Sequence, residues 1–161
     1  MNLCFLLIGS NLGNRKENLK KAIKAIEADI GTITAISSIY ETEPWGFDHT
    51  IYFLNQAVIC STCLDPSEIL SIILSIEESM GRKRSSTEYT ARKIDIDILF
   101  FNSDVVDQPR LIIPHPRLHL RNFALIPLAE IAPDFIHPVI KKPVDELLKD
   151  CPDTSMVKKF K

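Results

Sequence analysis

Arg92-Lys93-Ile94-Asp95-Ile96-Asp97-Ile98-Leu99-Phe100-Phe101 alternates apolar and charged side chains through its first half, the period of a β-strand with one face in a core. Ile94, Ile96, Ile98 and Phe100 are expected to line the buried face, and Asp95 and Asp97 the other. With a rise of about 3.3 Å per residue, the two aspartate Cα atoms lie roughly 7 Å apart. Carboxylates so placed repel and raise each other's pKa. A divalent cation or a basic partner removes the conflict, and the spacing suits one hard cation or a pair about 3.5–4 Å apart. Arg82, Lys83 and Arg84 precede the strand, and Arg110, Arg117 and Arg121 follow it.

Outward from this strand the chain falls into a short series of elements. Residues 2–8 form an apolar run suited to a buried strand, followed by the turn G-S-N-L-G-N at 9–14. Asn14 with Glu17 signals a helix start, Leu19, Ile23, Ile26 and Ile30 give its apolar stripe, and Gly31 its end. Residues 32–42 and 53–62 read as strands, separated by a loop containing Pro44, Trp45 and Gly46. A second helix has Asp65 as N-cap, Pro66 at its first position and Glu68 to complete a capping box. Its stripe is Ile69, Ile72, Ile73, Ile76 and Met80, with Gly81 beyond. After the aspartate strand, prolines at 109, 114, 116, 127, 133, 138 and 143 divide the chain into short pieces, with helical turns expected at 121–131 and 143–150. The order β-α-β-β-α-β predicts an α+β, ferredoxin-like fold. Its four-stranded antiparallel core sheet carries two helices on one face, and the proline-rich C-terminal extension covers the other. No repeat or linker divides residues 1–161, so a single domain is expected.

Composition narrows the function classes. With 161 residues, 45% hydrophobic content and a formal charge of -2, the chain can bury a core and has no global attraction to nucleic acid or membrane. Basic character is local, because no acidic residue occurs from Arg110 to Arg121, a pattern suited to a focused anion site. No transmembrane run or basic leader is present, which points to a cytoplasmic protein. No surplus apolar helix face demands a partner, so a monomer is expected. Cys60 and Cys63 form a C-x-x-C with no second pair, and Pro114 and Pro116 argue against a helical zinc pair at His115 and His119; neither is expected to carry chemistry.

Paired aspartates among arginines suit Mg²⁺ and phosphates. Magnesium takes one or two carboxylates, keeps waters and shares substrate phosphate oxygens, while guanidinium groups grip phosphate bidentately. No Walker or protein-kinase glycine loop is present, so side chains and metal must hold any nucleotide. Two other readings use the same residues. One is a non-catalytic ferredoxin-like module binding a small ligand; the other is a metal-dependent phosphodiesterase, which the lack of a broad basic face disfavours.

The blocks I-G-S-N-L-G-N (8–14), Y-E-T-E-P-W-G (40–46), Y-F-L-N-Q-A-V (52–58), G-R (81–82), R-K-I-D-I-D-I-L-F (92–100), I-P-H-P-R (113–117) and R-N-F-A-L-I-P-L-A-E-I-A-P (121–133) resemble, in order, those of the 6-hydroxymethyl-7,8-dihydropterin pyrophosphokinase family. The resemblance runs from about residue 3 to 138. It implies an αβα sandwich and transfer of the β,γ-pyrophosphoryl group of ATP to a pterin hydroxymethyl group, a step of folate biosynthesis. It further implies that Asp95 and Asp97 hold two Mg²⁺ ions, with Arg82 and Arg92 also catalytic. Arg82, Arg84 and Arg92 would form a mobile clamp on ATP, and Ile98, Arg110, His115 and Arg121 its fixed contacts. Thr42, Pro44, Trp45 and Asn55 would meet the pterin edge, and Phe53 and Phe123 would stack on its faces. The chain departs from the family at Glu88 and Tyr89, where many members carry an arginine followed by a tryptophan.

Overall fold

The computed structural model describes residues 1–42, 52–81 and 93–161. Its elements are β1 (Asn2–Ser10), α1 (Arg15–Asp29), β2 (Thr32–Ile36), β3 (Tyr40–Thr42), β4 (Phe53–Thr62), α2 (Pro66–Ser79), β5 (Asp95–Phe101), β6 (Val106–Gln108), β7 (Leu111–Ile113), α3 (Asn122–Ile131), α4 (Val144–Lys149) and β8 (Val157–Lys159), with a 3₁₀ turn at Leu118–Leu120.

Local chemistry accounts for both long helices. The Asn14 side chain accepts the Glu17 N–H at the start of α1. At α2, Asp65 accepts the Glu68 N–H at 2.9 Å while Glu68 accepts the Asp65 N–H at 2.8 Å, so two otherwise orphaned donors are satisfied reciprocally. Gly81, at φ +95°, supplies the left-handed turn after α2. The prolines expected to break the tail do so with one exception, Pro127, which lies inside α3.

The main sheet has six strands, not the four expected. The central order β5-β1-β4-β3-β8 is antiparallel throughout, and β2 also pairs with β4. Two departures make the difference. The segment 32–42 is split into β2 and β3, and at the break the Ser37 hydroxyl donates to the Ser38 carbonyl and accepts the Ala57 N–H. The sixth strand, β8, comes from the tail. Residues 106–113, within the proline-punctuated stretch, form a separate β6-β7 hairpin.

Two cores sandwich the sheet. Leu19 and Ile26 of α1, with Ile69, Ile73 and Ile76 of α2, pack on Leu6, Ile8, Val58, Ile96 and Ile98. On the opposite face Leu125 and Leu128 of α3, with Val144 and Leu147 of α4, pack on Phe5, Leu7, Ile59 and Leu99. Phe100 belongs to this second core, not to the face of Ile94, Ile96 and Ile98. A register shift between Phe5 and Leu6 pairs Phe5 with Phe100 and Leu6 with Ile98, leaving Leu99 as an extra residue. This β-bulge reverses the alternation beyond Ile98. Phe100 then packs edge-on to Phe5 with ring centroids 5.6 Å apart.

The outer edge of β5 is tied down by side chain and loop. Glu77 of α2, 2% exposed, accepts the Ile96 N–H at 2.9 Å, and the His115 N–H donates to the Leu99 carbonyl at 3.0 Å.

Candidate active site

The sheet register assembles the site. Asp95 of β5 pairs with Gly9 of β1, Gly9 with Asn55 of β4, and Asn55 with Tyr40 of β3. One row therefore crosses four strands, and with neighbouring strands about 4.8 Å apart the Asp95 and Asn55 Cα atoms are roughly 10 Å apart. Asp97 lies two residues along, opposite Leu7, on the same face as Asp95. The burial of β5 alternates as expected, with Ile96 and Ile98 buried and both aspartates half-buried.

Gly9 keeps the middle of this row open. A Cβ there would lie 2.6 Å from the Asn55 side-chain oxygen, so the carboxamide leans across the glycine towards the aspartate strand. Its Nδ2 donates to the Thr42 hydroxyl at 3.2 Å. Both residues are buried, at 5% and 2% exposure, and a buried amide held this way is oriented, not merely tolerated. Thr42 pairs with Phe53, which brings Thr42, Phe53 and Asn55 to one end of the face.

At the other end a cleft of about 310 Å³ wraps the outer edge of β5. Asp97, Ile98, Arg110 and His115 line it, together with Leu70, Ile96, Leu111 and Ile112. The last four give the cleft an apolar wall that sequence reading missed; Leu70 reads as one more apolar residue of α2, and the β6-β7 turn that brings Leu111 and Ile112 alongside depends on non-local pairing.

His115 is held neutral. Burial, then the nearby Arg121 guanidinium, pushes its pKa down to about 4, against the opposing pull of Asp95 and with a smaller push from Arg117. Its Nδ1 accepts the Arg117 N–H at 3.2 Å, which leaves the ring proton on Nε2 as a donor. Because the folded pKa lies below the ordinary 6.5, the unfolded chain binds the extra proton first. The stabilisation from a neutral His115 is complete above about pH 6.5 and is lost as pH falls towards 4. Stepped-pH urea unfolding of wild type and His115→Gln should show their stability difference shrinking across that window by up to about 3 kcal/mol. A difference that does not vary with pH would refute the assignment. The comparison also cancels His137, whose pKa burial, and then His119, lower as well.

Arg121 and Phe123 flank the start of α3. Arg121 is buried at 6% exposure, and its guanidinium carbon lies 5.5 Å from the Phe123 ring centroid, within cation–π range. Arg82, Arg84, Arg92, Pro44 and Trp45, with the divergent Glu88 and Tyr89, lie outside the described residues.

Among the described residues no group of three or more His, Cys, Asp or Glu converges. Asp95 and Asp97, both half-buried, are the carboxylates that could hold a hard cation completing its shell with water and phosphate oxygen. Of the C-x-x-C pair, Cys60 is buried opposite Cys4 on β1 while Cys63 is exposed. No described helix is long and apolar enough to cross a membrane.

Comparison with known proteins agrees with the geometry. The family model for 7,8-dihydro-6-hydroxymethylpterin-pyrophosphokinase (HPPK) matches residues 5–133. The 2-amino-4-hydroxy-6-hydroxymethyldihydropteridine pyrophosphokinase of Bacillus subtilis is 41% identical over 131 residues, covering 81% of this chain and 78% of that one. The protein of the same name from Aquifex aeolicus is 40% identical over 146 residues, covering 91% and 90%. Among solved structures, an HPPK-DHPS chain from Plasmodium falciparum superposes with a TM-score of 0.78 at 21% identity, covering 92% of this chain and 45% of that one. The protein thus spans less than half of that longer chain, and at this identity the likeness concerns the fold. The family model, over residues 5–133, and the two relatives place the chain in the 7,8-dihydro-6-hydroxymethylpterin-pyrophosphokinase family.

Proposed function

We propose that this protein transfers the β,γ-pyrophosphoryl group of ATP to the hydroxymethyl group of 6-hydroxymethyl-7,8-dihydropterin, releasing AMP, as a step of folate biosynthesis. The observation that carries this reading is the single row Asp95, Gly9, Asn55, with an arginine- and histidine-lined cleft at one end and Thr42 and Phe53 at the other. A flat polar heterocycle and a polyphosphate can thereby meet over one pair of carboxylates.

In this reading Asp95 and Asp97 would hold two Mg²⁺ ions, which when bound would supply charge neutralisation at the phosphates and a lowered pKa at the attacking hydroxyl. The chain's own groups do the rest. Arg110 and Arg121, with Arg82, Arg84 and Arg92, grip the phosphates. Neutral His115 donates from Nε2 to a phosphate oxygen, which adds a hydrogen bond without depending on pH near neutrality. Ile98, with Leu70 and Leu111, gives the nucleotide an apolar seat. Asn55, oriented by Thr42, meets the pterin's amide-like edge beside Pro44 and Trp45, and Phe53 and Phe123 cover its faces. No protein nucleophile is needed, because positioning and charge neutralisation carry the reaction.

Incubation with ATP, Mg²⁺ and hydroxymethyldihydropterin should yield AMP only when the pterin is present. Formation of ADP, or no turnover by folded protein, would overturn the proposal. Omission of magnesium should abolish the reaction, which tests the metal requirement separately.

A further inference from the structure

The last residues, beyond α4, hold two parts of the site that no local sequence links. Asp153 accepts the Asn122 N–H at 3.0 Å through one carboxylate oxygen and the Ser155 N–H at 2.9 Å through the other. Asn122 returns a bond from Nδ2 to the Ser155 carbonyl at 2.8 Å. Asn122 stands between Arg121 and Phe123, and α3 has no cap from its own Arg121 side chain. A carboxylate from the tail thus does the work of an N-cap, where negative charge is also favoured by the helix dipole. Burial opposes the charge on Asp153, but hydrogen bonds from Ser155 and Asn122 hold its carboxyl below the usual range.

Two residues further on, the tail becomes β8. Val157 pairs with Thr42, Lys158 with Glu41 and Lys159 with Tyr40, and the Phe160 N–H donates to the Ile39 carbonyl at 2.8 Å. The far end of α3 is bound to the same strand: Glu130 accepts from the Ser38 N–H, the Ser38 hydroxyl and the Tyr40 hydroxyl. The tail therefore closes a frame whose corners are Phe123 and Thr42. Arg121 has a separate anchor, since its N–H donates to the Leu118 carbonyl at 3.2 Å.

We infer that the C-terminal segment, through Asp153, is a positioning strap for the pterin half of the site, setting Phe123 against Thr42 and Asn55 while leaving the nucleotide cleft to its own supports. This rests on the assignment of Thr42, Asn55 and Phe123 to the pterin. The strap acts through α3 and β3, so Asp153 is a positioning residue.

The test compares wild type, Asp153→Ala, Asp153→Asn and Asn122→Ala, with Asp150→Ala as a control that removes a carboxylate bonded to exposed Lys142. Asp153→Ala should raise the KM for the pterin about tenfold, within the range of a lost helix cap, with the KM for ATP unchanged within twofold. Asp153→Asn, which keeps an acceptor oxygen for the Asn122 N–H, should recover most of the loss, and Asp150→Ala should match wild type. Asn122→Ala keeps the α3 backbone and should raise the pterin KM even if Asp153→Ala fails to fold. Parallel rises in both KM values, or an unchanged pterin KM in every variant, would overturn the strap. Amide exchange at residues 122–125 separates two kinds of failure. Exchange no faster than wild type in Asp153→Ala and Asn122→Ala refutes the strap itself, whereas faster exchange with unchanged pterin KM refutes the assignment of this corner to the pterin.

Discussion

Asp97→Ala is expected to reduce AMP formation at least a thousandfold in protein that remains folded. Asp97 is half-buried on a face it shares with Asp95, so truncating it leaves no apolar void. Its removal also takes away half of the carboxylate pair that, in the proposed reaction, would hold the magnesium offsetting charge on the phosphates. Loss of one strong electrostatic contact in a preorganised site costs about 3–4 kcal/mol of transition-state stabilisation, or roughly 150- to 900-fold, and impaired metal binding adds to this. Asp97→Asn keeps the shape without the charge and should behave almost as badly, which separates charge from packing. Steady-state AMP release, with thermal unfolding on the same samples, decides the matter. Activity within tenfold of wild type in a folded Asp97→Ala protein would remove the aspartate pair from the mechanism.

Gly9→Ala should damage a different part of the reaction. The added Cβ would lie 2.6 Å from the Asn55 side-chain oxygen, too close for any ordinary contact. The obstructing atom is the end of a rotatable side chain, so the sheet survives and Asn55 turns away. Doing so breaks its bond to Thr42 and misdirects the one amide aimed along the row. Leaving buried polar groups imperfectly paired costs about 1–3 kcal/mol, which corresponds to a rise of roughly 5- to 150-fold in the KM for the pterin, with the KM for ATP little changed. Gly31 makes the contrast. A Cβ there would run into the Ser61 backbone carbonyl, which cannot rotate aside, so Gly31→Ala should act on stability. An unchanged pterin KM in Gly9→Ala would show that the Asn55 orientation is not what the glycine protects.

How far these features were legible in the sequence follows from the range of the forces behind them. The start of α2 was readable because Asp65, Pro66 and Glu68 act within one turn. The shared face of Asp95 and Asp97 was readable because a strand alternates whatever its neighbours. Phe100 was misassigned because the bulge depends on pairing with Phe5, nearly a hundred residues away in the chain. The role of Gly9 was hidden for the same reason: nothing near residue 9 announces that the side chain of Asn55 will lie over it. The tail after residue 139 carries no motif, and β8 is three residues long, so its place is fixed by Thr42 and Asn122 and not by its own propensity. Arg110 could be picked out by the acid-free run from Arg110 to Arg121 and His115 only by the family resemblance, but their meeting with Leu70 required the folded edge of β5.

That edge has a consequence for how the protein behaves in company. An open β-strand border is a template on which another chain can crystallise its own strand, and long flat borders invite polymerisation. Here the Ile96 amide is taken by Glu77 and the Leu99 carbonyl by the His115 amide, so a visiting strand finds the docking groups already engaged. At the opposite border the sheet ends in the short β8, whose Lys158 and Lys159 are exposed, and an incoming strand would meet cations on a ledge of three residues. The same bonds that hold the aspartate strand in register over the reaction centre therefore also keep the sheet from growing.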